Sequence, residues 1–398
     1  VPGDATLTHN RIGRHIARIA TTVVANNHSP WLADFQIGEA HSVNFSHGEG
    51  RFTAADAVLK TLIKTPSISR EEQAAADIVS HAIEGLGFTV QREGNNVWAP
   101  DPGFVASRPT LLLNAHLDTV KPVSTWHRDP FTPVLEGEKL YGLGSNDCGG
   151  GLVSLLQVFR HYAFRPRNFN LVYLASAEEE VSGSNGISLA LPLLPPISVA
   201  IVGEPTGMQP AIAERGLMVL DLIAHGKSGH AARNEGINAI NEALDDLVWL
   251  RDYRFERVSE LLGPVKMTVT VVHSGTQHNV IPDRLTALID VRTNELYRNE
   301  EVFEAIQKHC RSEVKAHSFR LHSSHIDPEH PLVRRCIRMG MTPFGSPTLS
   351  DQALMSFPSF KLGPGQSARS HSADEFILIS EIEQAITQYI ALLDDISF

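Results

Sequence analysis

The sequence predicts an α/β protein, a mostly parallel sheet flanked by helices, interrupted by a small inserted domain. Three observations carry this. Short apolar runs such as Leu111-Leu112-Leu113, residues 171–175 and residues 199–202 read as strands buried on both faces, and helical spacing alternates with them. Near Gly216 the pattern changes to β-α-β-β-α-β, the order of a split ferredoxin-like unit. After about Ser324 the α/β pattern returns. The expected boundaries are 1–52 for an N-terminal extension of uncertain structure, 53–214 with 325–398 for the main domain, and 215–324 for the insertion.

Taken in order, residues 11–25 suit a short helix, and residues 26–50 have no clear period. Residues 54–65 have helical spacing and stop before Pro66. Ser69-Arg70-Glu71-Glu72 has the form of a capping box opening a helix over 71–86, with Gly85 and Gly87 at its end. Strands are expected over 88–93, 110–115, 168–176 and 198–205, and helices over 150–163 and 185–194. In the insertion, strands are expected over 216–226, 265–275, 284–294 and 316–325, and helices over 236–252 and 300–310. Residues 330–340, 350–357 and 380–396 then read as helices, and 359–365 as a strand.

Of the 398 residues, 42% are hydrophobic and 20% charged, which describes a globular chain with a full-sized core. The net charge of −11 argues against nucleic acid or an anionic membrane as a main partner. No apolar run approaches the ~20 residues that span a bilayer. Cys148, Cys310 and Cys336 show no CxxC spacing, and the first thirty residues lack a secretory pattern, so a cytoplasmic location is expected. The early histidines His9, His15, His28, His41 and His47 sit in no motif and read as solvated.

The chemistry-bearing groups gather at strand ends. They are His116 and Asp118 in "AHLDT", Asp147 in "GSNDCGGG", Glu178-Glu179-Glu180, Glu204 in "VGEPT" and His371 in "RSHSADEF". Each alone reads as a solvated strand end, a surface charge run or a turn residue. Their recurrence at successive strand ends is different, because an open parallel sheet binds ligands outside those ends. Imidazole plus carboxylate without a cysteine pair suits Zn²⁺ or a related divalent metal. "GLGSND" and "GPGQSA" are poor dinucleotide fingerprints, and no GxSxG occurs.

In order, "HLD", "NDCGG", "EEE", "GEPT" and "HSADE" resemble the co-catalytic zinc aminoacylase/carboxypeptidase family, from about Thr53 to the C-terminus. That family includes acetylornithine deacetylase, which these motifs resemble most, succinyl-diaminopimelate desuccinylase and carboxypeptidase G. The resemblance implies a zinc-exopeptidase-like catalytic domain holding two Zn²⁺, with Co²⁺ or Mn²⁺ as substitutes. It implies His116 and Glu204 on one metal, His371 and Glu180 on the other, and Asp147 bridging. Glu179 is then the general base, Asp118 orients His116, and Glu178 takes the orienting place in the triplet; a slip of one residue there is the alternative.

The resemblance also implies a homodimer through the insertion. His230 would stabilise an oxyanion in the partner's site, and Asn279, Arg292 and Gly365 would contact substrate. It implies a cis peptide at Asp147–Cys148. Cys148 itself departs from the family pattern and reads as a packed neighbour, with a further soft metal ligand as the alternative. The implied reaction is deacylation of an N-acyl amino acid, N-acetylornithine or an N-acetyl- or N-succinyl-citrulline, in arginine biosynthesis. The alternatives are succinyl-diaminopimelate desuccinylation, dipeptidase or carboxypeptidase action, and a non-catalytic metabolite-binding relative.

Overall fold

The protein is described by a computed structural model over residues 6–8, 16–23, 38, 40–47, 51–53, 55–233 and 235–397. It divides into two compact units, residues 1–210 with 329–342 and 361–398, and residues 211–328 with 343–360.

The first unit is built on strands in the order Val199–Val202, Thr110–His116, Asn170–Ser176, Asn96–Pro100 and Gln91–Glu93. The first three are mutually parallel, with Ala200 opposite Leu112 and Val172 opposite Leu112 on its other side. Every residue of Thr110–His116 and Asn170–Ser176 is buried, so both faces of these strands are covered. That is why the sequence shows continuous apolar runs instead of alternation. The helix Gly150–Ala163 packs on both strands and on the helices Ala55–Ile63 and Ile379–Leu393. Its approach depends on Gly151, where a Cβ would collide with the carbonyl oxygen of Gly203. The register aligns Ser176 with His116 and Val202 with Asn114, so three parallel strands end at one level.

The second unit contains the antiparallel sheet Lys266–Ser274, Arg284–Arg292, Met218–His225, Glu313–Ala316. Burial alternates along Arg284–Arg292, as expected of a sheet covered on one face. The helices Ala239–Asp252 and Asn299–His309 contribute Ala243, Leu250, Val302 and Ile306 to a core with Leu220, Leu222 and Ile289. The unit also holds Ala211–Glu214, paired with Ser324–His325 and Phe344–Ser346. Among the described residues, no helix is long and apolar enough to cross a membrane.

Several sequence expectations are corrected. Residues Ile16–Val23, inside the expected 11–25 helix, form a strand paired with Ala40–His47; the rest of that helix lies outside the described residues. The β-branched run Thr21-Thr22-Val23 favours this outcome. The strand expected over 316–325 is divided: Glu313–Ala316 joins the four-stranded sheet, where Val314 enters the core, and Ser324–His325 pairs with Ala211–Glu214 instead. Residues Asp351–Leu354 make only a 3₁₀ turn. The helix after Glu72 starts at Gln73 without a side-chain cap. Ser69 and Glu72 are spent elsewhere, on Asp118 and on Arg70, Asn95 and Glu178.

Candidate metal centre

All of the candidate ligands lie in the first unit. His116 is the last residue of Thr110–His116, Glu178 to Glu180 come after Asn170–Ser176, and Glu204 comes after Val199–Val202. Asp147 sits in the irregular turn Ser145–Gly149, where its φ and ψ are −117° and 99°. The Asp147–Cys148 peptide is cis, as expected from the motif. His371 arrives from the C-terminal segment with φ of 57°, in the left-handed region that a non-glycine residue seldom occupies.

These positions converge. His116 Nε2 lies 3.2 Å from Asp147 Oδ1, 3.9 Å from Glu204 Oε1 and 4.0 Å from Glu179 Oε2. His371 Nε2 lies 2.8 Å from Glu180 Oε2 and 3.7 Å from the other oxygen of Asp147. Two imidazole–carboxylate groups therefore share Asp147, and Glu179 stands beside the first. The His116 side chain is almost fully buried, whereas that of His371 is 54% exposed, so the centre is open on the His371 side.

Asp118 orients this arrangement in a way the sequence does not reveal. His116 Nδ1 is 2.9 Å from the main-chain oxygen of Asp118 and 3.5 Å from its carboxylate. A proton on Nδ1 is held there, which leaves Nε2 facing the carboxylates. The Asp118 carboxylate itself accepts hydrogen bonds from Ser69 Oγ at 2.7 Å and from the main-chain N–H groups of Glu179 and Glu180 at 3.0 and 3.2 Å. One residue thus fixes both His116 and the turn that presents the glutamates. Glu178 has φ of 52° and turns its carboxylate to Asn185, away from its two neighbours.

The donor set fits two divalent cations. Glu204 Oε1 is buried and receives no hydrogen bond. Burial and the charge of Asp147 push the Glu204 carboxyl up to about 8, and the hydrogen bond to Glu180 pushes His371 up to about 9. A cluster of carboxylates that holds protons in this way lacks positive charge, which bound cations would provide. Cys148 is a packed neighbour: its Sγ accepts from the His116 N–H at 3.2 Å, and burial pushes the thiol up.

These raised values carry a sign. A metal needs deprotonated ligands, so a cation held by Glu204 and His371 would have to expel their protons. Zn²⁺ binding near pH 7 is therefore expected to release protons, and apparent affinity to rise from about pH 6 to about pH 9 before levelling. Titration calorimetry in buffers of different ionisation heat measures this. Proton-neutral binding would contradict it.

Gly365 lies close to this centre. Its φ is 84°, a Cβ there would collide with the Asn146 side chain, and its carbonyl accepts from Gly207 N at 2.7 Å. In the second unit, His230 and Val280 are paired, and the Asn279 carbonyl accepts from Ala231 N at 3.1 Å, so His230 and Asn279 are neighbours. Arg292 is not free in its strand: Nε and Nη2 fork onto Asp290 at 2.9 and 3.0 Å. Sequence reasoning gave Ser69 and Glu72 to a capping box and Glu375, within "HSADE", no role of its own; their partners are long-range.

Residues 212–318 match the family model described as the peptidase dimerisation domain of the M20 group. Succinyl-diaminopimelate desuccinylase of Delftia acidovorans is 27% identical over 279 residues, covering 64% of this chain and 71% of the relative. A peptidase M20 domain-containing protein of Schizosaccharomyces pombe is 25% identical over 367 residues, 88% of each chain. The chain is a hydrolase acting on amide bonds, similar to proteins of the M20 group.

Solved structures of M20 proteins share the fold of this hydrolase. The M20 metallo-carboxypeptidase Sso-CP2 of Sulfolobus solfataricus superposes with a TM-score of 0.68 at 18% identity, covering 86% of this chain and 98% of that one. A dinuclear metal-binding M20 peptidase of Bacillus subtilis gives 0.66 at 18% identity, covering 85% and 96%. Separately, residues 3–71 match the model of a CobB/CobQ-like glutamine amidotransferase domain. That similarity takes in the N-terminal extension and runs into the first residues of the main domain.

Proposed function

We propose that this hydrolase removes the acyl group from an N-acyl amino acid, with Glu179 as general base at a two-metal centre. The observation that carries the reading is the sharing of Asp147 between the His116–Glu204 and His371–Glu180 groups, with Glu179 alongside. His116 and Glu204 would hold one cation, His371 and Glu180 the other, and Asp147 both. When bound, two divalent cations polarise an amide carbonyl and make water a stronger acid. Zinc is the metal we assign from the nitrogen and oxygen donors.

The protein's own residues perform the proton traffic. Glu179 takes a proton from the attacking water and delivers it to the nitrogen of the departing amine. Asp118 keeps Glu179 aimed through its main-chain N–H. We assign His230 to the developing oxyanion of a partner subunit's site, and Asn279, Arg292 and Gly365 to the substrate's carboxylate end. A homodimer is supported by the matched dimerisation domain and by Ile240, Leu244 and Val248, which recur every four residues on Ala239–Asp252 and are 38%, 48% and 46% exposed.

Two acyl groups compete. The motif wording favours an N-acetylated substrate such as N-acetylornithine, and the names of several relatives favour N-succinyl-diaminopimelate. The deciding experiment loads the enzyme with Zn²⁺ or Co²⁺ and screens N-acetyl- and N-succinyl-ornithine, -citrulline and -diaminopimelate, with dipeptides alongside. Turnover of an N-acyl amino acid, lost on chelation and restored by metal, is expected. Silence on the whole panel with two metals bound would favour a metabolite-binding protein.

A further inference from the structure

The turn that carries Asp147 is irregular and buried, and its main-chain bonds from Ser145 N to Gly142 and from Gly149 N to Gly144 leave other N–H groups to be satisfied by side chains. Gly144 has φ of 73°, and Ser145, Asn146 and Cys148 are buried. Buried amides need partners. Here one side chain supplies three of them. Glu375, 2% exposed, accepts from Asn146 N at 2.8 Å and Asp147 N at 2.9 Å with Oε1, and from Gly144 N at 3.2 Å with Oε2. Its own main-chain oxygen accepts from Gly142 N at 3.0 Å. From the other side, Asn146 Nδ2 donates to the Gln366 carbonyl at 3.1 Å and Asn146 Oδ1 accepts from Gln366 N at 2.9 Å.

We propose that Glu375 is a positioning residue that aims the shared ligand Asp147 and locks its turn to the segment bearing His371. Both carboxylate oxygens are used by main-chain N–H groups, so Glu375 stands behind the ligands and is not one of them. Its placement has a cost, because a second carboxylate is buried beside Asp147. A neutral side chain would avoid that repulsion. A carboxylate, however, is the group whose paired oxygens accept three N–H bonds in charge-assisted form. Asp147 must address both His116 and His371 from a single carboxylate, at 3.2 and 3.7 Å, so a small rotation of the turn improves one contact only by losing the other. Glu375 lies four residues from His371, so the same chain segment sets both sides of that contact.

The inference rests on the two-metal reading, and its test separates the two. In Glu375→Gln, an NH₂ group must replace one accepting oxygen. Hydrogen exchange is expected to speed up at Gly144, Asn146 and Asp147 and to stay unchanged in the sheet. Co²⁺ affinity and kcat are expected to fall about 10–100-fold, with KM within about twofold. Glu375→Asp, which keeps the charge, is expected to recover part of both. A wild-type chain that binds no Co²⁺ defeats the metal reading alone, because exchange in the metal-free protein still reads the clamp. Unchanged exchange at the three amides in Glu375→Gln overturns the proposal, as does unchanged Co²⁺ affinity beside altered exchange. Failure of both variants to fold overturns it too, since the residue would then hold the domain and not the ligand turn.

Discussion

Glu179→Gln is expected to bind metal as the wild type does and to lose turnover by about 10²–10⁴-fold, the usual share of a general base. The substitution conserves shape and keeps the main-chain hydrogen bond to Asp118, so the turn should stay in place. The variant lacks only the group that takes and returns a proton, and KM should therefore move little compared with kcat. The neighbours provide the contrast. Glu178 is turned to Asn185, so Glu178→Gln should leave metal bound and cost far less turnover. Glu180 faces His371 at 2.8 Å, so Glu180→Gln should weaken metal binding itself. Metal content by emission spectroscopy and kcat across the three variants assign the triplet. Near-normal turnover in metal-replete Glu179→Gln would reject the base assignment, and a Glu178→Gln variant that alone is inactive would shift the triplet by one.

The sequence revealed those parts of the centre whose position is set by local pattern. Thr110–His116 and Asn170–Ser176 announce themselves because strands buried on both faces must be apolar throughout, and the polar residues next in the chain must then lie at the sheet's end. His116, Glu179, Glu180 and Glu204 were legible for that reason, and Asp147 and His371 through motif order. The supporting groups were not. Ser69 and Glu72 have the spacing of a capping box, yet their side chains reach Asp118 and Glu178, 49 and 106 residues away. A local rule assigns such residues to the nearest helix end, and only the fold can show that a distant buried amide or carboxylate takes them instead. Glu375 is the same case at greater distance: its partners lie 228 to 231 residues earlier. Asp118 was read as a partner of the His116 ring, and the main-chain oxygen does most of that, while its carboxylate serves the glutamate turn.

His230→Ala is expected to lower kcat by about 10²–10³-fold, the loss typical of removing one oxyanion donor, while metal content stays unchanged. His230 is exposed within its own unit and is held in a two-residue strand against Val280, so its removal should disturb no core. If the residue serves a partner subunit, the defect is complementable. Mixing His230→Ala with Glu179→Gln produces heterodimers in which one of the two sites combines an intact Glu179 with an intact His230. With random exchange in a two-fold dimer, about a quarter of all sites become complete, from two parents that are each nearly inactive. Subunit exchange, or co-expression with two tags, and then a turnover assay measures this. Recovery toward that fraction requires action in trans. A mixture no more active than its parents, with heterodimers demonstrated, would place His230 in its own subunit's chemistry or outside the chemistry altogether. The kcat of His230→Ala decides between those two, because an oxyanion donor cannot be removed without cost to the chemical step.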